Sequence, residues 1–232
     1  MNTSPRLQLS KDTLLLLPCS GTKQRVPCSG TKQPGRKPSN ALSILSVLDP
    51  VLAAELANAR DALREKARVD DETLMPAYLR YRGQPYKHSA TYIGEAVAAG
   101  QRVLIVSGGY GLILADEPIG MYNKQFALSD WRPGLLKECI LDYAHHEGIR
   151  SVIAVMSRTT GYAKLISRCV DWGGAGLEAT LVSADAHGPG VRQKVLRAQG
   201  EAVAALINSG LDQDWLSSDS LPLKIDKFPR EV

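Results

Sequence analysis

Residues Val103 to Phe126, VLIVSGGYGLILADEPIGMYNKQF, combine an apolar segment with a glycine-rich loop. The first four residues are apolar and mostly β-branched, which predicts a buried strand. In Ser107-Gly108-Gly109-Tyr110-Gly111 the glycines let the backbone turn sharply and approach a ligand closely, because no Cβ stands in the way. Two acids, a tyrosine and an amide follow: Asp116, Glu117, Tyr122 and Asn123. The stretch is typical either of a binding site or of a strand-to-helix connection with solvated acids.

Outside this stretch, short apolar runs alternate with amphipathic segments. Strands are predicted at 13–17, 103–106, 151–155 and 180–182, and helices at 40–68, 89–99, 133–146, 160–170 and 191–208. This alternation predicts a single three-layer α/β/α domain with a mostly parallel central sheet. We expect residues 1–12 to be an N-terminal extension, 13–210 the catalytic or binding domain, and 211–232 a loosely packed tail anchored by Trp215 and Phe228.

Composition excludes several classes of protein. The 232 residues carry a net charge of +4, a weak sign of a nucleic-acid partner. The four cysteines show neither a CxxC pair nor zinc-ligand spacing, so we expect no metal, no cofactor and a reducing, cytoplasmic location. The N-terminal residues lack the apolar core of a signal peptide, and no apolar run approaches about 20 residues, so we expect no membrane association.

The loop after the first strand contains a short duplication. PCSGTKQ occurs at Pro18–Gln24 and again at Pro27–Gln33, and residues 18 to 37 hold five basic residues and no acid. Small residues and lysines beyond a strand end suit an anion or phosphate, although a solvated basic loop has the same composition. The first copy directly follows the strand, which favours Cys19, Ser20, Gly21 and Lys23 as binding residues. Lys32 and the rest of the second copy remain the alternative.

Aromatic and basic residues interleave between Pro76 and Tyr92, where half of the eight tyrosines fall. Such a pattern suits stacking on bases and pairing with phosphates, or an aromatic loop packed under the sheet. The binding candidates here are Tyr81, Arg82 and Tyr86.

Four loops follow the predicted strands and converge on one edge if the strands are parallel. In such sheets ligands bind beyond the carboxyl ends of the strands. We expect PCSGTKQ, SGGYG with Asp116 and Glu117, the turn at 158–162, and Asp185 with His187 to meet there. A solvated histidine is the alternative for His187.

The motifs resemble a known superfamily. S-x-x-Y-G-L, an acid pair with proline and a tyrosine are similar to the signature of the YaaA-like proteins and the archaeosine-synthase core, which are related in fold to uracil-DNA glycosylases. PCSxxK resembles the opening motif of that core, and the segment 188–193 with Arg192 resembles a closing glycine-arginine motif. The likeness covers most of residues 13 to 208 through short motifs. Uracil-DNA glycosylases place an acid or amide just after the first strand, and this chain has none there.

The resemblance implies cleavage of an N-glycosidic bond in DNA, with a flipped base between tyrosines. Asp116 or Glu117 would stabilise the sugar cation or activate water, and His187 with Asp185 would help the base leave. A modified base is typical of phage DNA, so a role in phage defence is a natural extension. The alternatives are a non-enzymatic DNA-binding protein of the YaaA-like type and a nucleotide or base transferase.

Overall fold

The computed structural model of the protein describes residues 6–25, 43–184, 186, 188 and 190–229. Strands and helices alternate along this part of the chain. The strands are β1 (Thr13–Pro18), β2 (Asp70–Pro76), β3 (Arg102–Ser107), β4 (Gly111–Leu114), β5 (Pro118–Met121), β6 (Ser151–Val155), β7 (Glu178–Ala184) and β8 (Leu223–Phe228). The α-helices are α1 (Pro50–Ala67), α2 (Ala77–Arg80), α3 (Gln84–Ala98), α4 (Leu135–His146), α5 (Gly161–Lys164) and α6 (Val191–Asn208).

The central sheet has six strands in the order β4-β3-β1-β6-β7-β8. Its four inner strands are parallel, since β1 pairs in parallel with β3 and β6, and β6 with β7. The two edge strands, β4 and β8, run antiparallel to their neighbours. The prediction of an α/β fold with a mostly parallel sheet is therefore confirmed, and so is the parallel direction of the four predicted strands.

Helices cover both faces of this sheet because its inner strands are apolar on both sides. Side chains alternate between the two faces along β1: Leu14 and Leu16 join one hydrophobic cluster, and Leu15 and Leu17 join the other. The first cluster includes residues of α1 and α4, and the second includes residues of α3 and α6. Three layers result, as the sequence pattern predicts.

The start of α1 and both ends of α6 lie where the sequence predicts them. The Asp49 side chain accepts a hydrogen bond from the amide of Val51 at 2.9 Å, and Pro50 is the first helical residue of α1. Helix α6 has the predicted bounds. The predicted helix at 160–170 is divided, since α5 continues as a π-helical turn at Leu165–Cys169.

The C-terminal segment departs from expectation. Instead of a loosely packed tail, it supplies β8, which pairs along β7 from Ala184 opposite Leu223 to Ala179 opposite Phe228. Trp215 and Phe228 do pack against the two hydrophobic clusters. No α-helix in the described part of the chain is both long enough and apolar enough to cross a lipid bilayer.

Candidate functional site

The order in which the chain adds strands to the sheet changes direction next to β1. From β1 the chain goes to β3 on one side and later to β6 on the other, so the loops after β1 and β6 leave in opposite directions. In open α/β sheets this switch point leaves a crevice at the carboxyl ends of the strands. Pro18, Ser107 and Val155 end β1, β3 and β6 at that edge. The candidate site is built around these three strand ends.

The loop after β1 is fastened to the segment between α2 and α3. The amide of Cys19 donates to the carbonyl of Val106, which holds the start of the loop against β3. Farther along, the amide of Arg82 donates to the carbonyl of Thr22, and Lys23 forms a β-bridge with Tyr81. The first PCSGTKQ copy thus lies at the crevice, next to a tyrosine from the aromatic segment. The second copy, with Lys32, lies outside the described residues.

Tyrosine and serine hydroxyls meet beside this loop. The hydroxyl oxygens of Tyr81 and Tyr122 are 2.9 Å apart, and the Ser107 hydroxyl lies 3.0 Å from that of Tyr122. The ring centroids of Tyr86 and Tyr81 are 5.1 Å apart. The Tyr86 hydroxyl donates a hydrogen bond to the carbonyl of Pro18 at 2.8 Å. Burial raises the pKa of Tyr81, Tyr86 and Tyr122 well above 10.0, so these phenols stay protonated near neutral pH. We call Tyr81, Tyr86, Tyr122, Ser107 and Lys23 the tyrosine–lysine cluster.

Lys23 places a positive charge in this cluster. Its Nζ lies 3.8 Å from the centre of the Tyr122 ring, a cation–π geometry. Burial lowers the pKa of Lys23 below its ordinary value of 10.5, and the nearby Cys19 thiol opposes this shift. Among the described residues, no carboxylate forms an ion pair with Lys23. A partly buried ammonium group without an acidic partner is suited to an anionic or carbonyl-bearing ligand.

A second aromatic group lies on the other side of Cys19. The Sγ of Cys19 and the hydroxyl of Tyr162 are 3.1 Å apart. The Tyr162 ring stacks on that of Phe126 with centroids 4.6 Å apart and an interplanar angle of 17°. Sequence reasoning did not select Tyr162 or Phe126 as site residues. Tyr162 does belong to the turn at 158–162 that we expect from the sequence at this edge, and its contact with Cys19 places that turn there.

The glycine-rich turn serves packing more than ligand binding. A Cβ on Gly108 would lie 2.3 Å from the carbonyl oxygen of Lys124, and one on Gly109 would lie 2.7 Å from the Tyr122 ring. Gly111 has a φ of +72°, which favours glycine. The Ser107 hydroxyl accepts hydrogen bonds from the amides of Gly109 and Tyr110 at 3.3 and 3.1 Å. The expectation that the SGGYG amides bind a ligand is therefore not supported for these two donors.

The acid pair lies at the opposite edge of the sheet, so the expected convergence is wrong for Asp116 and Glu117. Strand β4 runs antiparallel to β3 and carries the chain roughly 10 Å away from the crevice, since a strand rises about 3.3 Å per residue. Strand β5 then brings it back, so that Tyr122 reaches Ser107. The sequence did not reveal this displacement of Asp116 and Glu117, because β4 was not predicted as a strand.

Glu117 is occupied by protein donors. Its carboxylate, 4% exposed, accepts hydrogen bonds from the Ser43 hydroxyl at 2.8 Å and the amides of Ile44 and Leu114 at 2.9 and 3.1 Å. It also pairs with the Arg60 guanidinium at 3.1 Å. Arg60 in turn donates to the carbonyls of Tyr110 and Leu112. Through these contacts Glu117 links α1, β4 and the segment at 43–44, which is a structural role. Asp116, in contrast, is exposed.

The remaining predicted residues lie beside the cluster or away from it. The Tyr110 ring packs edge-on against that of Tyr122 with centroids 5.5 Å apart, while its hydroxyl contacts Asp71 and the amide of Gly120. Exposed residues are Gly21, Arg82, Asn123 and Arg192, the last in the first turn of α6. Ser20 is buried. Asp185 and His187 lie outside the described residues, and β7, which precedes them, ends at the carboxyl edge.

The described residues contain no group of three or more His, Cys, Asp and Glu side chains that could hold a metal ion. No protein-family model matches this chain, and no curated protein sequence matches it either.

Proposed function

We propose that this protein is a DNA glycosylase-type enzyme that hydrolyses the N-glycosidic bond of a base in DNA. The observation that carries the proposal is the tyrosine–lysine cluster at the switch point of the sheet. In this proposal the fold belongs with the uracil-DNA-glycosylase-like proteins that the sequence motifs resemble, and a modified base of phage DNA is the substrate.

The cluster and its neighbours offer contacts that suit an extruded nucleotide. The partly exposed rings of Tyr162 and Phe126 supply an aromatic surface. Tyr81, Tyr122 and Ser107 are buried and bond to one another, and the Tyr122 ring positions Lys23. Lys23 supplies positive charge for a phosphate or for the carbonyl of the base. The position beyond the ends of parallel strands is where ligands bind in such sheets.

The reaction would break the bond between C1′ of the sugar and the base nitrogen. Water would supply the oxygen that bonds to C1′, and a proton would pass to the departing base. Asp185 and His187, which follow β7 in sequence, are the proposed acid and base, with Lys23 stabilising negative charge on the base. Asp116 and Glu117 have no role in this step, because β4 carries them to the opposite edge.

The test is release of free bases from DNA. The purified protein would be incubated with unmodified DNA and with phage DNAs that carry hydroxymethylated or glucosylated pyrimidines. Alkaline cleavage would reveal abasic sites, and mass spectrometry would identify the freed base. We expect one DNA to be processed, with loss of product in Lys23→Met and His187→Ala and normal product in Asp116→Asn. Absence of abasic sites on every DNA would overturn the proposal.

A non-enzymatic DNA-binding protein is the second candidate. It is favoured by one observation, that no carboxylate among the described residues joins the tyrosine–lysine cluster. A binder would release no base, and its affinity for DNA would fall steeply with salt because phosphate contacts displace counterions. Asp185→Asn and His187→Ala would leave that affinity intact, while Lys23→Met would weaken it.

A further inference from the structure

Helix α6 carries one polar residue on its buried face. The face is formed by small and apolar residues such as Ala198, Ala202, Val203 and Leu206, and Gln199 lies among them with 2% of its surface exposed. A Leu or Met at this position would continue the apolar face, so packing alone does not explain the amide.

Only one of the two polar atoms of the Gln199 amide has a hydrogen-bond partner. Its Nε2 donates to the hydroxyl of Ser157 at 2.7 Å, and its Oε1 is buried without a hydrogen-bond partner. An acceptor left in this condition destabilises the folded protein, because the protein does not replace the hydrogen bond that water provides in the unfolded chain. A buried group of this kind calls for an explanation, and a bound molecule that donates to it is one.

Gln199 faces the switch point. Ser157 follows β6 at the carboxyl edge, and Gln199 lines a small cavity together with Pro18, Tyr86 and Val155. The cavity has a volume of about 10 Å³, which is the space of one water-sized group. The tight approach of α6 to α3 fixes the helix, since a Cβ on Gly200 would lie 2.3 Å from the carbonyl oxygen of Pro85. The cavity is therefore too small for a ring and large enough for a single substituent of one.

Polar neighbours in the cavity already have partners. The Tyr86 hydroxyl donates to the carbonyl of Pro18, and the Ser89 hydroxyl donates to the carbonyl of Pro85. The unpartnered Oε1 is an acceptor, so it attracts an N–H or O–H donor and repels a carbonyl oxygen.

We propose that Gln199 is a specificity-determining residue that accepts a hydrogen bond from an exocyclic amino group of the nucleobase bound at the switch point. The inference rests on the proposed function. It narrows the substrate class to bases that carry an amino substituent and excludes bases that carry an oxo group at the same position. Ser157 orients the amide by accepting from its Nε2.

The test compares bases that differ in this substituent and in the hydrogen on the adjacent ring nitrogen, which is absent from cytosine and adenine and present in uracil and hypoxanthine. Binding of single-stranded oligodeoxycytidylate and oligodeoxyuridylate of equal length would be measured by fluorescence anisotropy, with oligodeoxyadenylate and oligodeoxyinosinate as the second pair. The two oligonucleotides of a pair carry the same number of phosphates, so phosphate contacts contribute equally to both affinities. We expect the wild-type protein to bind the amino member about tenfold more tightly, the effect of one hydrogen bond to a buried acceptor.

Gln199→Leu should bind both members alike, while the matched control Gln193→Leu, an exposed glutamine on the same helix, should keep the preference. The ligand-free Gln199→Leu protein should melt at the wild-type temperature or higher, because an unsatisfied acceptor has been removed. A fall of several degrees, beyond the loss of the hydrogen bond to Ser157, would mean that a bound water satisfies Oε1, and would overturn the inference. Gln199→Met is the second variant if Gln199→Leu does not fold.

Binding without an amino preference, a preference for the oxo member, or a preference that survives in Gln199→Leu would each overturn the inference and leave the proposed function standing. Failure of the proposed function is a separate result, in which no base is released from any DNA.

Discussion

Glu117 and Lys23 are two partly or fully buried charges at opposite edges of one sheet, and their surroundings differ. Glu117 is met by a guanidinium, two amides and a hydroxyl, and its position joins three segments of the chain. The Lys23 ammonium lies over the ring of Tyr122, and burial lowers its pKa. A charge whose partners are all provided by the protein has a structural position, while a partly buried charge without a counter-ion is a candidate for ligand binding.

Removing the Glu117 carboxylate should have the largest effect on stability. In Glu117→Ala the Arg60 guanidinium, 12% exposed, is left buried and uncompensated, and three further donors lose their acceptor. We expect a loss of about 3–5 kcal/mol in the free energy of unfolding, measured by urea titration. The neighbouring Asp116→Asn, at an exposed position, should change it by less than about 0.5 kcal/mol. Equal effects of the two substitutions would contradict the structural assignment of Glu117.

Crowding the glycine-rich turn should come next. Gly108→Ala places a Cβ 2.3 Å from a backbone carbonyl oxygen, which cannot rotate away as a side chain can. We expect a loss of about 3 kcal/mol because the turn or the segment at 122–126 must shift. Gly21→Ala is the matched control, since nothing lies within 4 Å of its added Cβ. A Gly108→Ala protein as stable as the wild type would show that the turn has room for a Cβ.

Tyr122→Phe should have a smaller effect. Deleting this hydroxyl removes the group that lies within hydrogen-bond distance of both Tyr81 and Ser107. Because the site is buried, we expect a loss of roughly 1 to 2 kcal/mol in chemical denaturation. Tyr92→Phe, at an exposed tyrosine, should be neutral. A neutral Tyr122→Phe would mean that water replaces the lost hydrogen bonds and that the cluster is open to solvent.

Lys23→Met should have the smallest effect on stability, within about 1 kcal/mol, and a characteristic pH dependence. Burial lowers the pKa of Lys23 in the folded protein below the value of 10.5, so the unfolded chain holds the proton more tightly. Wild-type stability should therefore rise, relative to Lys23→Met, as the pH increases through the folded pKa toward 10.5. Urea titrations of both proteins between pH 7 and 10.5 would measure this difference, and a falling one would contradict the burial of Lys23.

The inner strands could be predicted from the sequence because they are continuous apolar runs bounded by turn residues. Thr13–Leu17 and Ser151–Val155 are read directly from this pattern, and Asp49-Pro50 marks a helix start. Edge strands carry a weaker signal. The Gly111–Leu114 strand is short and follows glycines, and Leu223–Phe228 alternates with lysines and an aspartate.

The site could be predicted in part. Cys19, Lys23, Ser107 and the tyrosines at 81, 86 and 122 do come together, because their positions follow from strand ends and from one aromatic segment. The acids at 116 and 117 do not join them, since their place depends on the direction of β4, which composition does not reveal. Gln199 was missed because a single polar residue in an amphipathic helix is not distinctive until its burial is known.

The most direct test of the account is base release per folded molecule by Lys23→Met and Asp116→Asn, on whichever DNA the wild-type protein processes. Thermal denaturation of each variant would first confirm that both are folded. We expect Lys23→Met to keep its melting temperature and to lose about 100-fold or more of the rate, the typical cost of removing a group that stabilises developing charge. Asp116→Asn should retain the wild-type rate. A folded Asp116→Asn without activity, beside an active Lys23→Met, would place the chemistry at the opposite edge of the sheet and contradict the account.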